Sequence, residues 1–220
     1  MSLLSSLLVG CSLSDYCGFN NPIGFHKDPR CWYNIVFKKY SNIQLTNLSY
    51  GGSSNLEILH RANNALLKSH YDIVLIQLSS VKRKWFWRDD NPDHFTIFNG
   101  GKVHNEQTLE DKKSIQHVCM FYFNTEREVE RDLVNLLVLQ KQCIITGKKL
   151  IIIDGFDFLG ITRRMFPELF NQLEKNNLIG YPNYWRSLQK DVADDLLHPG
   201  VESNKLYAEQ IINHLKKISL

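Results

Sequence analysis

The chain has 220 residues, a hydrophobic fraction of 43%, a charged fraction of 22% and a formal net charge of +3. This length and composition are typical of one globular domain, and we predict that residues 1–220 form a single domain. The small net charge gives no support for nucleic-acid binding. No apolar run is long enough to span a membrane, and the start of the chain lacks the basic segment and cleavage site of a signal peptide. We therefore expect a cytoplasmic protein without a membrane partner.

Four segments predict strands, at residues 4–9, 42–48, 72–78 and 149–154. The second alternates Ile43 and Leu45 with polar neighbours. The third and fourth are almost continuously apolar, which is typical of strands that are covered on both faces of a sheet.

Three segments with helical periodicity separate or follow these strands. The first covers residues 55–69. The second opens with a capping box from Thr125 to Glu128 and ends before Gly147, and the third covers residues 204–217. Buried strands alternating with amphipathic helices predict an α/β fold: a three-layer α/β/α sandwich with a mostly parallel, flavodoxin-like central sheet.

The stretch at about residues 82–111 fits no clear period and is rich in aromatic residues, including Trp85 and Trp87. It follows the carboxyl end of a predicted central strand, where ligands bind in open α/β sheets. An insertion of this kind is either a lid or substrate-binding wall, or a purely structural excursion.

The five cysteines are scattered and form no C-x-x-C pair; they are Cys11, Cys17, Cys31, Cys119 and Cys143. Reduced thiols are the simplest interpretation for a chain of this size. A metal site formed by the first three cysteines and His26 would have irregular spacing. We expect neither a metal nor another cofactor.

Two short motifs at opposite ends of the chain carry the parts of a nucleophilic triad. Ser12 follows the first predicted strand, and Asp195 precedes His198 by three residues. A serine needs a base and an orienting acid to attack at neutral pH. Asp194 is the alternative acid and Cys11 the alternative nucleophile. Taken singly, the serine is a common turn residue and the histidine a common helix-capping or surface residue.

Together these motifs resemble those of the SGNH (GDSL-like) hydrolases. The segment Gly10-Cys11-Ser12-Leu13 is similar to the first block of that superfamily, residues 47–55 to its second block, and Asp195-x-x-His198 to its last block. The resemblance implies that Ser12 is the nucleophile. It also implies that the backbone N–H groups of Ser12 and Gly52 form part of the oxyanion hole.

The sequence departs from the family pattern at two places. Cys11 stands where an aspartate is usual, and the third block, which should follow the central strand, lacks its asparagine. We predict Asn55 as a further oxyanion-hole residue. The other candidate donors, which we also predict as substrate-binding residues together with Trp85 and Trp87, are Gln77, Ser79 and Ser80.

The resemblance implies a serine esterase with a small-molecule or glycan ester as substrate. Removal of O-acetyl or other short acyl groups from a carbohydrate is the most specific expectation. Two alternatives remain: a binding or structural protein on a degenerate scaffold of this family, and an acyltransferase. The sequence leaves the oligomeric state open.

Overall fold

The computed structural model describes residues 3–15, 28–88, 91–98, 125–196 and 198–218. Within these ranges the chain forms seven strands, which we number in chain order. They are β1 (Leu4–Val9), β2 (Ile43–Asn47), β3 (Ile73–Leu78), β4 (Arg83–Arg88), β5 (Asn91–Phe98), β6 (Lys149–Asp154) and β7 (Leu178–Ile179).

Five of the strands form one parallel sheet in the order β2-β1-β3-β6-β7. Leu8 pairs with Asn47 on one side and with Leu75 on the other, so β1 lies in the interior of the sheet. Because the strands are parallel, their carboxyl ends meet at one edge. The predicted flavodoxin-like sheet is confirmed.

Six α-helices of the described chain pack on or beside this sheet. They are α1 (Trp32–Lys39), α2 (Asn55–Lys68), α3 (Thr125–Ile145), α4 (Phe158–Met165), α5 (Pro167–Phe170) and α6 (Val201–Lys217). Two short 3₁₀ segments, Lys175–Asn177 and Trp185–Leu188, lie between α5 and α6.

Successive residues of β1 face two separate hydrophobic clusters. Leu7 and Val9 pack with buried residues of α2, α3 and α4, whereas Leu8 packs with buried residues of α1 and α6. This alternation follows from the two-residue period of a strand. Helices therefore cover both faces of the sheet, and the predicted three-layer α/β/α sandwich is confirmed.

The four predicted strands form close to the predicted positions, and so do the three predicted helices. The last helix begins at Val201, three residues earlier than its apolar pattern indicates. The segment predicted to have no clear period contains β4 and β5, which pair antiparallel as a separate two-stranded sheet. Residues 89–90 and 99–111 of that segment lie outside the described residues. Its role as a lid or wall stays a prediction.

No helix within the described ranges combines the length and the apolar character that crossing a bilayer requires.

Candidate active site

Ser12 lies in a tight turn directly after β1, at the edge of the sheet where the parallel strands end. The backbone N–H groups of Ser14 and Asp15 donate to the carbonyl oxygen of Cys11, over 2.9 and 3.0 Å. Ser12 itself is largely buried within this turn. The turn therefore holds the serine in a defined backbone geometry beside the sheet.

Gln77, near the end of β3, holds this turn from the neighbouring strand. Its Oε1 accepts from the N–H of Cys11 at 3.1 Å, from Cys11 Sγ at 3.2 Å and from Ser14 Oγ at 3.3 Å. Its Nε2 donates to the carbonyl oxygen of Leu78 at 2.5 Å. Gln77 is fully buried, and its side chain contacts the serine turn. Its predicted role in substrate binding is untested.

Two glycines make room for the Gln77 side chain. A Cβ on Gly10 would lie 2.9 Å from Cβ and Oε1 of Gln77, and a Cβ on Gly155 would lie 2.4 Å from its Nε2. Both distances are shorter than any tolerable contact, so the glutamine amide fits only between two residues without side chains.

Three further contacts fix the end of the serine turn. Asn47 Nδ2 donates to the carbonyl oxygen of Ser14 at 2.8 Å, and the Tyr33 hydroxyl donates to that of Asp15 at 2.6 Å. The N–H of Gly51 donates to the Asp15 carboxylate at 2.9 Å. The last contact joins the turn after β1 to the loop after β2, which carries the predicted oxyanion-hole glycine.

Gly52 has a φ of 85°, in the left-handed region that favours glycine. Among the described residues, neither its N–H nor that of Ser12 donates to another protein group. Two such donors at the carboxyl edge of the sheet are what an oxyanion hole requires.

The predicted site residues after β3 pack against the start of α2. Asn55 Nδ2 donates to the carbonyl oxygen of Ser79 at 3.1 Å, and the N–H of Ser79 donates to Asn55 Oδ1 at 2.6 Å. Ser79 Oγ is buried and has no hydrogen-bond partner among the described residues. Ser80 Oγ accepts from the N–H of Lys82 at 3.2 Å. Trp85 and Trp87 lie on β4, and their side chains are outside the described part of the structure.

His198 is held by the carboxylate three residues before it. Its Nδ1 lies 2.5 Å from Asp195 Oδ2, and its backbone N–H donates to Asp195 Oδ1 at 3.0 Å. The alternative acid, Asp194, is exposed and pairs with Arg30 at 3.3 Å. Of the two candidate carboxylates, Asp195 is therefore the one that orients the imidazole.

The loop that carries His198 is closed on itself and attached to the start of α6. The N–H of Ala193 donates to the carbonyl oxygen of His198 at 2.8 Å. The carboxylate of Asp191 accepts from the N–H groups of Glu202 and Ser203, both at 2.9 Å. Burial opposes ionisation of Asp191, but the hydrogen bonds from Ser203 and Glu202 outweigh it, so its pKa lies below the usual value.

Two buried side chains connect this loop with the serine turn. Trp32 Nε1 donates to the carbonyl oxygen of Leu13 at 2.9 Å, and the backbone N–H of Trp32 donates to Asn204 Oδ1 at 3.0 Å. Sequence reasoning missed Trp32, Asn204 and Asp191, because none of them belongs to a recognisable motif. The sequence does not show which residues will surround a polar side chain once it is buried.

Within the described chain, no group of three or more His, Cys, Asp or Glu residues is arranged to hold a metal ion. Cys11, Cys31 and Cys143 are buried free thiols. The other members of the metal set considered from sequence, Cys17 and His26, lie outside the described residues.

No protein-family model and no curated protein matches the chain. Solved structures do resemble it. The psychrotrophic esterase EstA from Pseudoalteromonas sp. shares 17% identity and a TM-score of 0.55, with 97% of each chain covered. A protein of the G-D-S-L family from Desulfitobacterium hafniense shares 13% identity and a TM-score of 0.52, with 96% of this chain and 99% of that one covered.

The acetylxylan esterase Axe2 from Geobacillus stearothermophilus is also similar, with 15% identity and a TM-score of 0.52 over 100% of this chain and 95% of Axe2. The chain therefore has the fold of the SGNH (GDSL-like) hydrolases, as its motifs predict.

Proposed function

We propose that this protein is a serine esterase in which Ser12, His198 and Asp195 act as a catalytic triad. The observation that carries the proposal is the contact between Asp195 and His198, over 2.5 Å, in a chain whose SGNH-like fold ends its first strand in a buttressed serine turn. A carboxylate on one ring nitrogen of a histidine is the arrangement that prepares the other nitrogen for proton transfer.

In this mechanism Ser12 Oγ attacks the ester carbonyl carbon while its proton passes to Nε2 of His198. Nδ1 keeps its proton and donates a hydrogen bond to the Asp195 carboxylate. The carboxylate also stabilises the imidazolium that forms. The imidazolium then protonates the leaving alcohol. Water, deprotonated by the same nitrogen, attacks the acyl-serine and releases the acid.

The negative charge that develops on the carbonyl oxygen needs preorganised donors. We assign the backbone N–H groups of Ser12 and Gly52 to this role, which is supported by their lack of hydrogen bonds to other described residues. Asn55 was predicted as a third contributor, but its Nδ2 already donates to Ser79 O at 3.1 Å. The buried hydroxyl of Ser79 is the better candidate for the missing asparagine.

For the substrate we propose an O-acetyl or other short acyl ester of a carbohydrate. Two features support this choice: the fold likeness to an acetylxylan esterase, and the aromatic sequence on and around β4. Aromatic rings supply flat apolar surfaces of the kind that pack against sugar rings.

The first test is intact-mass analysis after incubation with a fluorophosphonate probe. We expect a single adduct that peptide mapping assigns to Ser12 and that Ser12→Ala abolishes. A folded wild-type protein that forms no adduct, under conditions that label a known serine hydrolase, would contradict the proposal. It would instead favour a non-catalytic protein on the same scaffold.

The chain offers a matched pair of variants for the acid. Asp195→Asn should slow probe labelling and ester turnover by about 10²–10⁴, because a neutral amide no longer stabilises the imidazolium and its NH2 group favours the wrong tautomer of His198. Asp194→Asn, one residue away and paired with Arg30, should leave both rates within about threefold of wild type. Equal effects of the two changes would remove Asp195 from the mechanism.

Hydrolysis and acyl transfer share all of these residues. Product analysis with an acetylated sugar as donor and a second sugar as acceptor separates them, since only acyl transfer yields a newly acylated acceptor. We expect free acetate as the product.

A further inference from the structure

A buried chain of hydrogen bonds runs from the serine turn to the histidine loop. It begins at the carbonyl oxygen of Leu13, next to Ser12, which accepts from the indole N–H of Trp32 at 2.9 Å. The same tryptophan donates its backbone N–H to Asn204 Oδ1 at 3.0 Å. Trp32 is fully buried and Asn204 is 1% exposed.

The amide of Asn204 continues the chain to the other loop. Its Nδ2 donates to the carbonyl oxygens of Pro199 and Gly200, each at 2.9 Å, and Pro199 directly follows His198. Both hydrogens of this amide are thus used on the histidine loop, while its oxygen is used on α1. The backbone N–H of Asn204 also donates to Gly200, at 3.0 Å.

The position of Trp32 explains why an amide is needed there. It is the first residue of α1, and its N–H has no partner within the helix. The N-cap residue, Cys31, makes no side-chain cap hydrogen bond. A buried N–H and two buried carbonyl groups must all be satisfied at one point, and a carboxamide, with donor and acceptor ends, does so.

We propose that Asn204, acting through Trp32, is a positioning residue that fixes the histidine loop relative to the serine turn. The proposal rests on the proposed function for its catalytic meaning. Proton transfer between a serine and a histidine depends on their separation to within a fraction of an ångström. Ser12 and His198 lie at opposite ends of the sequence, so their separation is set by contacts of this kind. No element of secondary structure contains both residues.

The test compares three changes on the chain of hydrogen bonds with one control. Asn204→Leu removes both ends of the amide. Asn204→Asp keeps an acceptor for the Trp32 N–H, but it replaces the donor to Pro199 and Gly200 with a carboxylate oxygen that their carbonyl oxygens repel. Trp32→Phe removes the indole donor to Leu13 and keeps an aromatic ring.

The control is Gln210→Met on the same helix. Gln210 Oε1 accepts from the indole N–H of another buried tryptophan, Trp185, at 2.7 Å. This contact touches neither loop. The control therefore leaves a buried tryptophan N–H without its acceptor, as Asn204→Leu does. It does not break the chain of hydrogen bonds between the serine turn and the histidine loop.

The first readout is hydrogen exchange followed by mass spectrometry on peptides that cover residues 11–15 and 191–200. In both Asn204 variants we expect the protected amides of Ala193 and Gly200 to exchange at least about 10-fold faster than in wild type. In Trp32→Phe we expect the same increase for the amides of Ser14 and Asp15. Gln210→Met should leave both peptides at the wild-type rate. Unchanged protection in the folded Asn204 and Trp32 variants would overturn the proposal.

The second readout is the rate of fluorophosphonate labelling and the turnover of an activated acetyl ester. Asn204→Asp should lower kcat about 10-fold while KM stays within about twofold, because the change alters alignment and leaves substrate contacts intact. The proposal would also be overturned if a folded variant showed faster hydrogen exchange in these loops but was labelled by the probe at the wild-type rate. If the wild-type protein forms no adduct, the proposed function fails. Hydrogen exchange still shows whether Asn204 and Trp32 hold the two loops together.

Discussion

Ser79 lies where the SGNH pattern would place the asparagine that this chain lacks. The family supplies an oxyanion donor from an asparagine after the central strand, and this chain has none there. Ser79 follows β3, its backbone is fixed by two hydrogen bonds to Asn55, and its hydroxyl is buried without a described partner. Burying an unsatisfied hydroxyl costs about 1–3 kcal/mol, so a use for this one is expected.

If the Ser79 hydroxyl binds the oxyanion, Ser79→Ala should lower kcat for an acetyl ester by about 10²- to 10³-fold, since one donor is lost. KM should change little, because the donor acts mainly in the transition state. The control is Ser80→Ala, whose hydroxyl accepts from Lys82 instead. Comparable turnover by the two variants in steady-state kinetics would exclude Ser79 as the third donor.

At this scale the sequence was informative about spacing and silent about long-range support. The three-residue interval singled out Asp195 rather than Asp194, and the structure shows that pair in contact. No sequence pattern indicated the role of Asn204. Its partner Trp32 lies 172 residues away, and an asparagine near the start of a helix is common. Contacts between distant residues depend on the assembled sheet, which no local pattern encodes.

Helix α6 shows how a helix can be capped from outside its own N-cap position. Gly200 is the N-cap residue and has no side chain to offer. Asp191 fills the role, since its two carboxylate oxygens accept from the N–H groups of Glu202 and Ser203. A Cβ on Gly200 would lie 2.5 Å from Asp191 Oδ2, so the glycine is required for this arrangement. The carboxylate also suits the positive end of the helix dipole.

We expect Asp191→Ala to lower the free energy of unfolding by about 1–3 kcal/mol, because it removes the cap of α6 and leaves the backbone N–H groups of Glu202 and Ser203 without their acceptor. Urea denaturation measures this directly. Glu202→Ala is the control: the Glu202 side chain is exposed and, among the described residues, pairs with Lys205, so its loss should cost less than about 0.5 kcal/mol. An unchanged urea midpoint for Asp191→Ala would show that the cap carries no stability.

Among the elements, those with a strong pattern were the ones that could be predicted. β3 and β6 are central, covered on both faces and almost wholly apolar, so their sequences read as strands. The early start of α6 was missed because its cap comes from Asp191, nine residues before Gly200. β4 and β5 were missed because, within the described residues, they pair with each other and not with the main sheet, so neither shows the apolar pattern of a strand in that sheet.

At the scale of the whole molecule, one buried carboxyl group links stability to pH. Asp154 ends β6, is 1% exposed and accepts from the N–H groups of Phe156, Phe158 and Leu159. Burial raises its pKa from 3.8 to about 6, and these three hydrogen bonds offset the rise only in part. The folded protein therefore binds this proton more tightly than the unfolded chain does.

The sign of the effect follows from this difference. Stability contributed by the protonated Asp154 is present below its unfolded pKa and is lost as pH rises towards its folded pKa, that is, between about pH 4 and pH 6. The loss amounts to about 3 kcal/mol for a shift of about two pKa units. Asp154→Asn does not titrate, so the difference in unfolding free energy between wild type and variant should change by this amount across the window.

Urea denaturation at several pH values between 4 and 6.5 measures that difference. Asp194→Asn, a change of the same kind at an exposed carboxylate, serves as the control for general effects of removing a carboxylate. A constant difference between wild type and Asp154→Asn across the range would contradict the assignment.

The way the serine turn is supported has a consequence for how the protein folds. Its contacts come from Tyr33, Asn47, Gly51 and Gln77, and through Trp32 it depends on α6 near the end of the chain. These partners are distant in sequence, so the turn can close through its own backbone hydrogen bonds but gains this outside support only once the sheet and the last helix are in place. On the proposed function, a nascent chain would thus carry Ser12 as an ordinary, unreactive serine. Under the same proposal, esterase activity would depend on the complete fold rather than on the turn alone.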